Sequence, residues 1–202
     1  SIYGKVVMAT DQNSLNNNTP QLSINVMPVG VIMATIGDGT STQRQPLGIY
    51  YGYERDATIY TADQIGTVGL VTGIQWYCAT AATAAVPFKV YMKTTPETAH
   101  TAVTWDTMVA DATQVLQTTF TFSQTGWNYF TFDTPFVYTG TNLMVLTETY
   151  YGGSGTTSPY FRYTTGATGC HQYWYADTNP PTGNGTLNTN RPNVGITLTS
   201  VS

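Results

Sequence analysis

Residues 127–133 read Trp-Asn-Tyr-Phe-Thr-Phe-Asp, which puts Asn128, Phe130 and Phe132 on one side of an extended chain and Trp127, Tyr129, Thr131 and Asp133 on the other. A period of two sorts these residues, whereas a helical period would mix them. Residues 143–151 form a second run of β-branched, apolar and aromatic side chains, the composition that suits a pleated, half-buried surface. Between the runs, Pro135 fixes its own backbone and holds Thr134 extended, while Gly140 and Asn142 supply residues that tolerate a reversal. The two runs are therefore expected to pair as an antiparallel hairpin, with the remaining strands stacked around it. Similar runs at 68–79, 87–94, 112–122, 159–163, 170–175 and 193–199 predict an all-β fold, an antiparallel β-sandwich. Ile74, Trp76 and Cys78 share a face and are expected in its core. Only residues 101–112 look helical, and they are short and threonine-rich, enough for a turn or two at a sandwich end.

The chain has 202 residues, 41% hydrophobic and 13% aromatic, sufficient to bury one sandwich core. Charged residues are 9%, against roughly 25% in ordinary soluble domains. Thr, Ser, Asn, Gln and Tyr must carry the surface instead, and such a surface repels its own copies weakly. With 7 Lys and Arg against 11 Asp and Glu, a net charge of -4, there is no basic footprint, so nucleic acid is not an expected partner. No apolar run is long enough to predict membrane insertion. A start at Ser1 is compatible with a cleaved leader, hence export, or with loss of an initiator Met alone. Cys78 and Cys170 both fall in strand-like runs and can form one disulfide in an oxidising compartment or stay as two buried thiols.

Residues 4–10, GKVVMAT, form a β-prone run followed by the polar stretch DQNSLNNNTPQ, in which Pro20 and the Asn cluster cannot continue a strand. VIMAT at 31–35 nearly repeats VVMAT at 6–10. Segments with one alternation can occupy equivalent sheet edges, one of them on a neighbouring copy. This assigns residues 1–35 to an extended arm, with Val6, Val7 and Met8 as its assembly strand, and residues 36–202 to the sandwich.

Chemistry is sparsely encoded. His171 and Cys170 are adjacent, so on a strand they point to opposite faces and cannot act as a Cys–His pair, and His100 lies in a polar stretch. No nucleophile elbow, phosphate loop or zinc helix is present, and the chain is expected to be non-catalytic. A glycosidase needs two carboxylates, for which Glu148 with Asp133 or Asp177 would be the candidates. Glu148 shares a face with Met144, Leu146 and Tyr150, and is better explained as an ion pair with Arg55 or Arg162. No cofactor is required. Calcium would suit GDGTST at 37–42 or YADTN at 175–179, although Asp in such loops is commonly a turn former. Sequons at Asn17 and Asn184, and the triplet Asp106-Thr107-Met108, carry little weight in so Thr- and Asn-rich a chain, and Asp106 would serve as well to cap the short helix.

Aromatic residues give the strongest surface signal. In HQYWY, His171, Tyr173 and Tyr175 fall on one face and Gln172 and Trp174 on the other. One set should face outward, making Tyr173, Trp174 and Tyr175 the candidate platform for stacking on sugar rings or for burial against a partner subunit.

The motifs IGDGTST, PLGIYYGY, ATIYTADQIG, GLVTGIQWY, the run from GWNYF to TYYGG, and NRPNVGITL together resemble a module of Bacteroidetes surface and secreted proteins, across roughly residues 36 to 200. That resemblance implies a jelly-roll-like sandwich, an extracellular or cell-surface location, and a non-catalytic piece of an adhesin-type protein. The leading expectation is a structural subunit that self-assembles as a homo-polymer, a filament or layer, by N-terminal strand addition. A carbohydrate-binding or adhesive module with glycans as partners is the alternative, and a virion-surface protein of a phage a third.

Overall fold

The computed structural model describes residues 30–200. Its strands are β1 Val31–Ile36, β2 Ser41–Gln43, β3 Tyr53–Tyr60, β4 Gly69–Thr80, β5 Ala85–Thr95, β6 Thr113–Thr121 and β7 Gly126–Tyr138. They continue with β8 Asn142–Tyr150, β9 Tyr160–Thr165, β10 His171–Ala176, β11 Thr186–Asn188, β12 Asn190–Pro192 and β13 Val194–Thr199. Two short helices, α1 Ala62–Ile65 and α2 Trp105–Val109, interrupt them. Among the described residues one sheet runs β1-β13-β4-β9-β12, with β2 on β9 and β7 on β4, and the second runs β11-β10-β3-β8-β5-β6. The expected all-β sandwich is therefore observed, with its strand pairs antiparallel.

The expected central hairpin is not formed. β7 pairs with β4, while β8 lies between β3 and β5 in the opposite sheet. Both runs carry an apolar face, Phe130 and Phe132 on β7 and Leu143 and Val145 on β8, all buried. Side by side in one hairpin, these faces would lie on the same surface of one sheet. Arching through Gly140, whose φ is 103°, sets them opposite one another across the core, as the contact of Phe130 with Phe88 of β5 shows, with centroids 5.2 Å apart at 80°. The same core holds Ile74, Trp76, Phe122, Phe161 and Ile196, each burial contributing on the order of 1.5–3 kcal/mol for the large side chains.

The sandwich begins earlier than the sequence pattern suggests. β1 pairs with β13 from Val31 opposite Thr199 to Ile36 opposite Val194, so residues 31–35 belong to the sheet rather than to an arm. Val6, Val7 and Met8 lie outside the described residues. Cys78 and Cys170 are free and buried, the second of the two states open to them. Each thiol instead meets a carbonyl, Cys78 that of Thr80 at 3.3 Å and Cys170 that of Thr189 at 3.6 Å.

A second apolar layer covers the outer face of the second sheet. Trp105 and Met108 of α2 pack on Ala57, Ile59, Met144, Leu146 and Trp174. Thr104, not Asp106, caps α2, its side chain accepting from the Thr107 amide.

Candidate functional site

β10 carries its odd-numbered residues toward the inner face of the second sheet and its even-numbered ones toward α2. Trp174 is 3% exposed and its indole N–H donates to the Val103 carbonyl at 3.1 Å. It is a core residue under the α2 layer, so its place in the surface platform is corrected. Tyr173 and Tyr175, two positions apart on one strand face, stand side by side with centroids 6.0 Å apart and planes 13° apart, near the strand repeat of about 6.6 Å.

Tyr51 completes the surface, and nothing local in the sequence joins it to β10. Its ring stacks on Tyr175 at 4.2 Å and 21°, and Tyr50 meets Tyr51 edge-on at 5.1 Å. The loop bearing these tyrosines is pinned from beneath. The Glu54 carboxylate accepts from the Tyr50 amide at 2.8 Å and the Tyr51 amide at 3.2 Å. Arg44 Nε donates to the same carboxylate at 3.2 Å, and its guanidinium carbon stands 5.1 Å and 5.2 Å from the Tyr50 and Tyr51 ring centroids. Burial raises the Glu54 carboxyl above its ordinary range, and Arg44 and the two amides oppose that shift. Thr149 on β8 adds a hydroxyl bond to the Gly48 carbonyl at 2.6 Å. The four tyrosines are thus held in place while Tyr50 and Tyr175 remain 53% and 44% exposed.

Two open grooves flank the Tyr51–Tyr175 stack. One, of about 550 Å³, is lined by Tyr173, Tyr175, Asp177, Asn179, Pro181 and Asn184 among others. The other, of about 400 Å³, is lined by Tyr50, Tyr51, Ser154, Thr156, Thr157 and Asp177. Asp177 belongs to both, and its Oδ1 accepts from the Gly52 amide at 3.2 Å. The result is a flat aromatic surface rimmed by hydroxyls, amides and one carboxylate.

Beneath the platform lies a buried polar cluster. Asp56 Oδ2 is bonded to His171 Nε2 and Oδ1 accepts from the Thr58 hydroxyl at 2.9 Å. His171 is fully buried and Asp56 2% exposed, so this carboxylate–imidazole pair is out of reach of any substrate and serves the fold. His100, in a polar stretch of the sequence, is also buried, and its Nε2 finds no partner among the described residues. Desolvation, partly opposed by nearby Asp56, lowers its pKa to about 4. The unfolded value is near 6.5, so neutral His100 supports the fold above pH 6.5 and that support is lost as the pH falls toward 4. Acidification from pH 7 to pH 5 should destabilise the protein by about 2 kcal/mol through this group. Thermal melts at both values should show a smaller difference in His100→Asn than in wild type; an equal difference assigns the pH dependence elsewhere.

Glu148 is tied down by Arg55 rather than Arg162: Arg55 Nη2 donates to Oε1 at 3.0 Å, and the Tyr91 hydroxyl donates to Oε2 at 2.9 Å. It is the one carboxylate lining an outer groove of about 420 Å³ with Lys89, Gln117 and Tyr150, whereas Asp177 lines the grooves at the tyrosines. Asp133 is engaged by the Gln117 amide at 3.0 Å. The GDGTST segment, which runs into β2, is docked on β9, the Asp38 and Gly39 amides donating to Thr164 Oγ1 at 2.9 Å and 2.8 Å. Among the described residues no group of three or more His, Cys, Asp or Glu is placed to hold a metal ion, and no helix is long and apolar enough to cross a membrane.

No family model matches the sequence, and no curated protein matches it. By structure, the chain is similar to the cysteine protease and lectin-like domains of Cwp84, a surface layer associated protein of Clostridium difficile, with a TM-score of 0.51 at 8% identity. The match covers 92% of this chain and 39% of that one, so this chain spans about two-fifths of its length. A second structure of the clostridial protease, after propeptide cleavage, gives a TM-score of 0.49 at 8% identity over 94% of this chain and 45% of that one. At such identity the likeness is one of fold.

Proposed function

We propose that this chain is a non-catalytic, extracellular carbohydrate-binding module whose ligand stacks on the Tyr51–Tyr175 pair. The observation that carries this reading is the near-parallel stack of two tyrosines at 4.2 Å, extended by Tyr173 and left open to solvent between two grooves. A pyranose ring has an apolar C–H face and hydroxyls around its rim. It therefore fits a flat aromatic surface ringed by polar groups, as this one is by Asp177, Asn179, Thr156 and Thr157. The fold likeness to a structure that includes a lectin-like domain of a surface-layer associated protein supports the same reading. Retention in gels cast with soluble polysaccharides tests it, the chain being slowed by at least one of them. Unchanged mobility in all of them, together with silence on a glycan array, contradicts it.

A second reading, assembly into a homo-polymer by strand addition, is favoured by one observation. Among the described residues β1 is an edge strand, paired on one side with β13, and Ile32 in it is 45% exposed. Such an edge offers unpaired backbone groups to an added strand. Light scattering of the native protein should then report multimers, and a version lacking residues 1–10 should be a folded monomer. A monomeric parent chain contradicts the reading.

A further inference from the structure

Residues 14–26, SLNNNTPQLSINV, repeat residues 186–198, TLNTNRPNVGITL. Leu15 matches Leu187, Asn16 matches Asn188, Asn18 matches Asn190, Pro20 matches Pro192 and Ile24 matches Ile196, while Ser14 and Leu22 stand for Thr186 and Val194, and Val26 for Leu198. Residues 186–198 are β11, β12 and β13, the segment that closes the sandwich along both of its sheets.

Several of the repeated positions take part in that closure. Asn188 Oδ1 accepts from the Thr189 and Asn190 amides at 2.7 Å and 3.1 Å, shaping the step from β11 to β12. The Asn190 carbonyl accepts from the Gln43 side chain at 3.1 Å, and the Pro192 carbonyl accepts from the buried Tyr60 hydroxyl at 2.8 Å. Val194 and Ile196 are fully buried and Leu198 is 1% exposed, and residues 22, 24 and 26 keep that apolar alternation with Ser23 and Asn25 between. The departures are legible too. Thr19 stands where Arg191 lies over the Tyr60 ring and donates to Gln64, and Gln21 stands where Asn193 bonds the Gly39 carbonyl and the Thr164 hydroxyl.

From this repeat we propose that residues 14–26 are a second closing segment, which completes another sandwich of this kind by taking the place of β11, β12 and β13 there. The partner is thus a sandwich with open edges at β4 and at β10, which keeps its pairing to β3, rather than an unrelated protein. Residues 27–30 alone separate this segment from β1, so a closing segment and an opening strand follow one another in the order that a head-to-tail series of sandwiches needs. The inference rests on a different observation from the glycan reading and stands or falls apart from it.

Grafting tests it in the full chain. With SLNNNTPQLSINV placed at 186–198, the protein should keep a cooperative melt and its β spectrum. Its Tm should be lowered, because the Arg191 and Asn193 contacts are lost. A graft of the same residues in scrambled order should not fold. A true-order graft as unfolded as the scrambled one overturns the proposal. Completion in trans gives a second measurement. In the Ile196→Asp chain, a peptide of residues 183–200 should restore the folded signal, and so should a peptide of residues 11–29, but not that peptide carrying Ile24→Asp. Restoration by 183–200 without restoration by 11–29 overturns the proposal.

Discussion

The Tyr175→Ala variant is expected to lose about tenfold or more in polysaccharide retention, equivalent to roughly 1.4 kcal/mol, with a melting temperature close to that of wild type. Two features set the size of this effect. Tyr175 is the central ring, stacked against Tyr51 on one side and beside Tyr173 on the other, so its removal interrupts the surface in the middle. At 44% exposure it contributes little to the core, which is why the fold should be spared. Trp174→Ala, one residue away, should behave in the opposite manner. Its side chain meets Trp105 with centroids 5.4 Å apart in the layer under α2, and truncating it should cost about 3–5 kcal/mol of stability whatever happens to binding. Retention curves and melts for the two variants, measured together, separate a ligand platform from a structural aromatic. Equal retention by Tyr175→Ala and wild type would remove the platform from the account.

Asp56→Ala is expected to have the largest effect on stability, about 3–5 kcal/mol. The mutation removes the acceptor for two buried donors, His171 Nε2 and the Thr58 hydroxyl, and leaves a fully buried imidazole without its carboxylate. Replacing both partners, Asp56→Leu with His171→Phe, should recover part of the loss, because it removes the orphaned imidazole and leaves only the Thr58 hydroxyl without its acceptor. Urea denaturation of the single and double variants measures this directly. A single variant within about 0.5 kcal/mol of wild type would mean that the pair does not hold β3 to β10.

Strand-level structure was largely legible because alternation is a local property. The runs at 68–79, 87–94 and 112–122 became β4, β5 and β6 with shifted ends. The hairpin was misread because Gly140 and Asn142 specify that the chain reverses, not whether the reversal stays within one sheet. That choice is made by distant partners, β4 for one strand and β3 and β5 for the other. α1 had a readable signal, Thr61 followed three residues later by Gln64, whose side chain accepts from the Thr61 amide at 3.0 Å.

The candidate site was half legible for the same reason. Period two placed Tyr173 and Tyr175 together and Trp174 opposite, but both faces are aromatic, and only α2 decides which of them is covered. Tyr51 joins them through the pairing of Tyr175 with Glu54 and through the bonds from Glu54 to its own loop, none of which leaves a mark in the local pattern. The burial of His100 left no mark in its polar neighbours, because it comes from the segment around Gly169, whose carbonyl accepts the His100 amide at 2.7 Å.

The most direct test of a glycan site at the tyrosines is a nuclear magnetic resonance titration of the tyrosine-labelled protein with an oligosaccharide released from a polysaccharide that retards it. The expected result is saturable shifts in the ring signals of Tyr51, Tyr173 and Tyr175, with Tyr60 and Tyr138 in the core unchanged. Shifts centred instead on Tyr91 and Tyr150 beside the outer groove, or no shifts at saturating sugar, would contradict it.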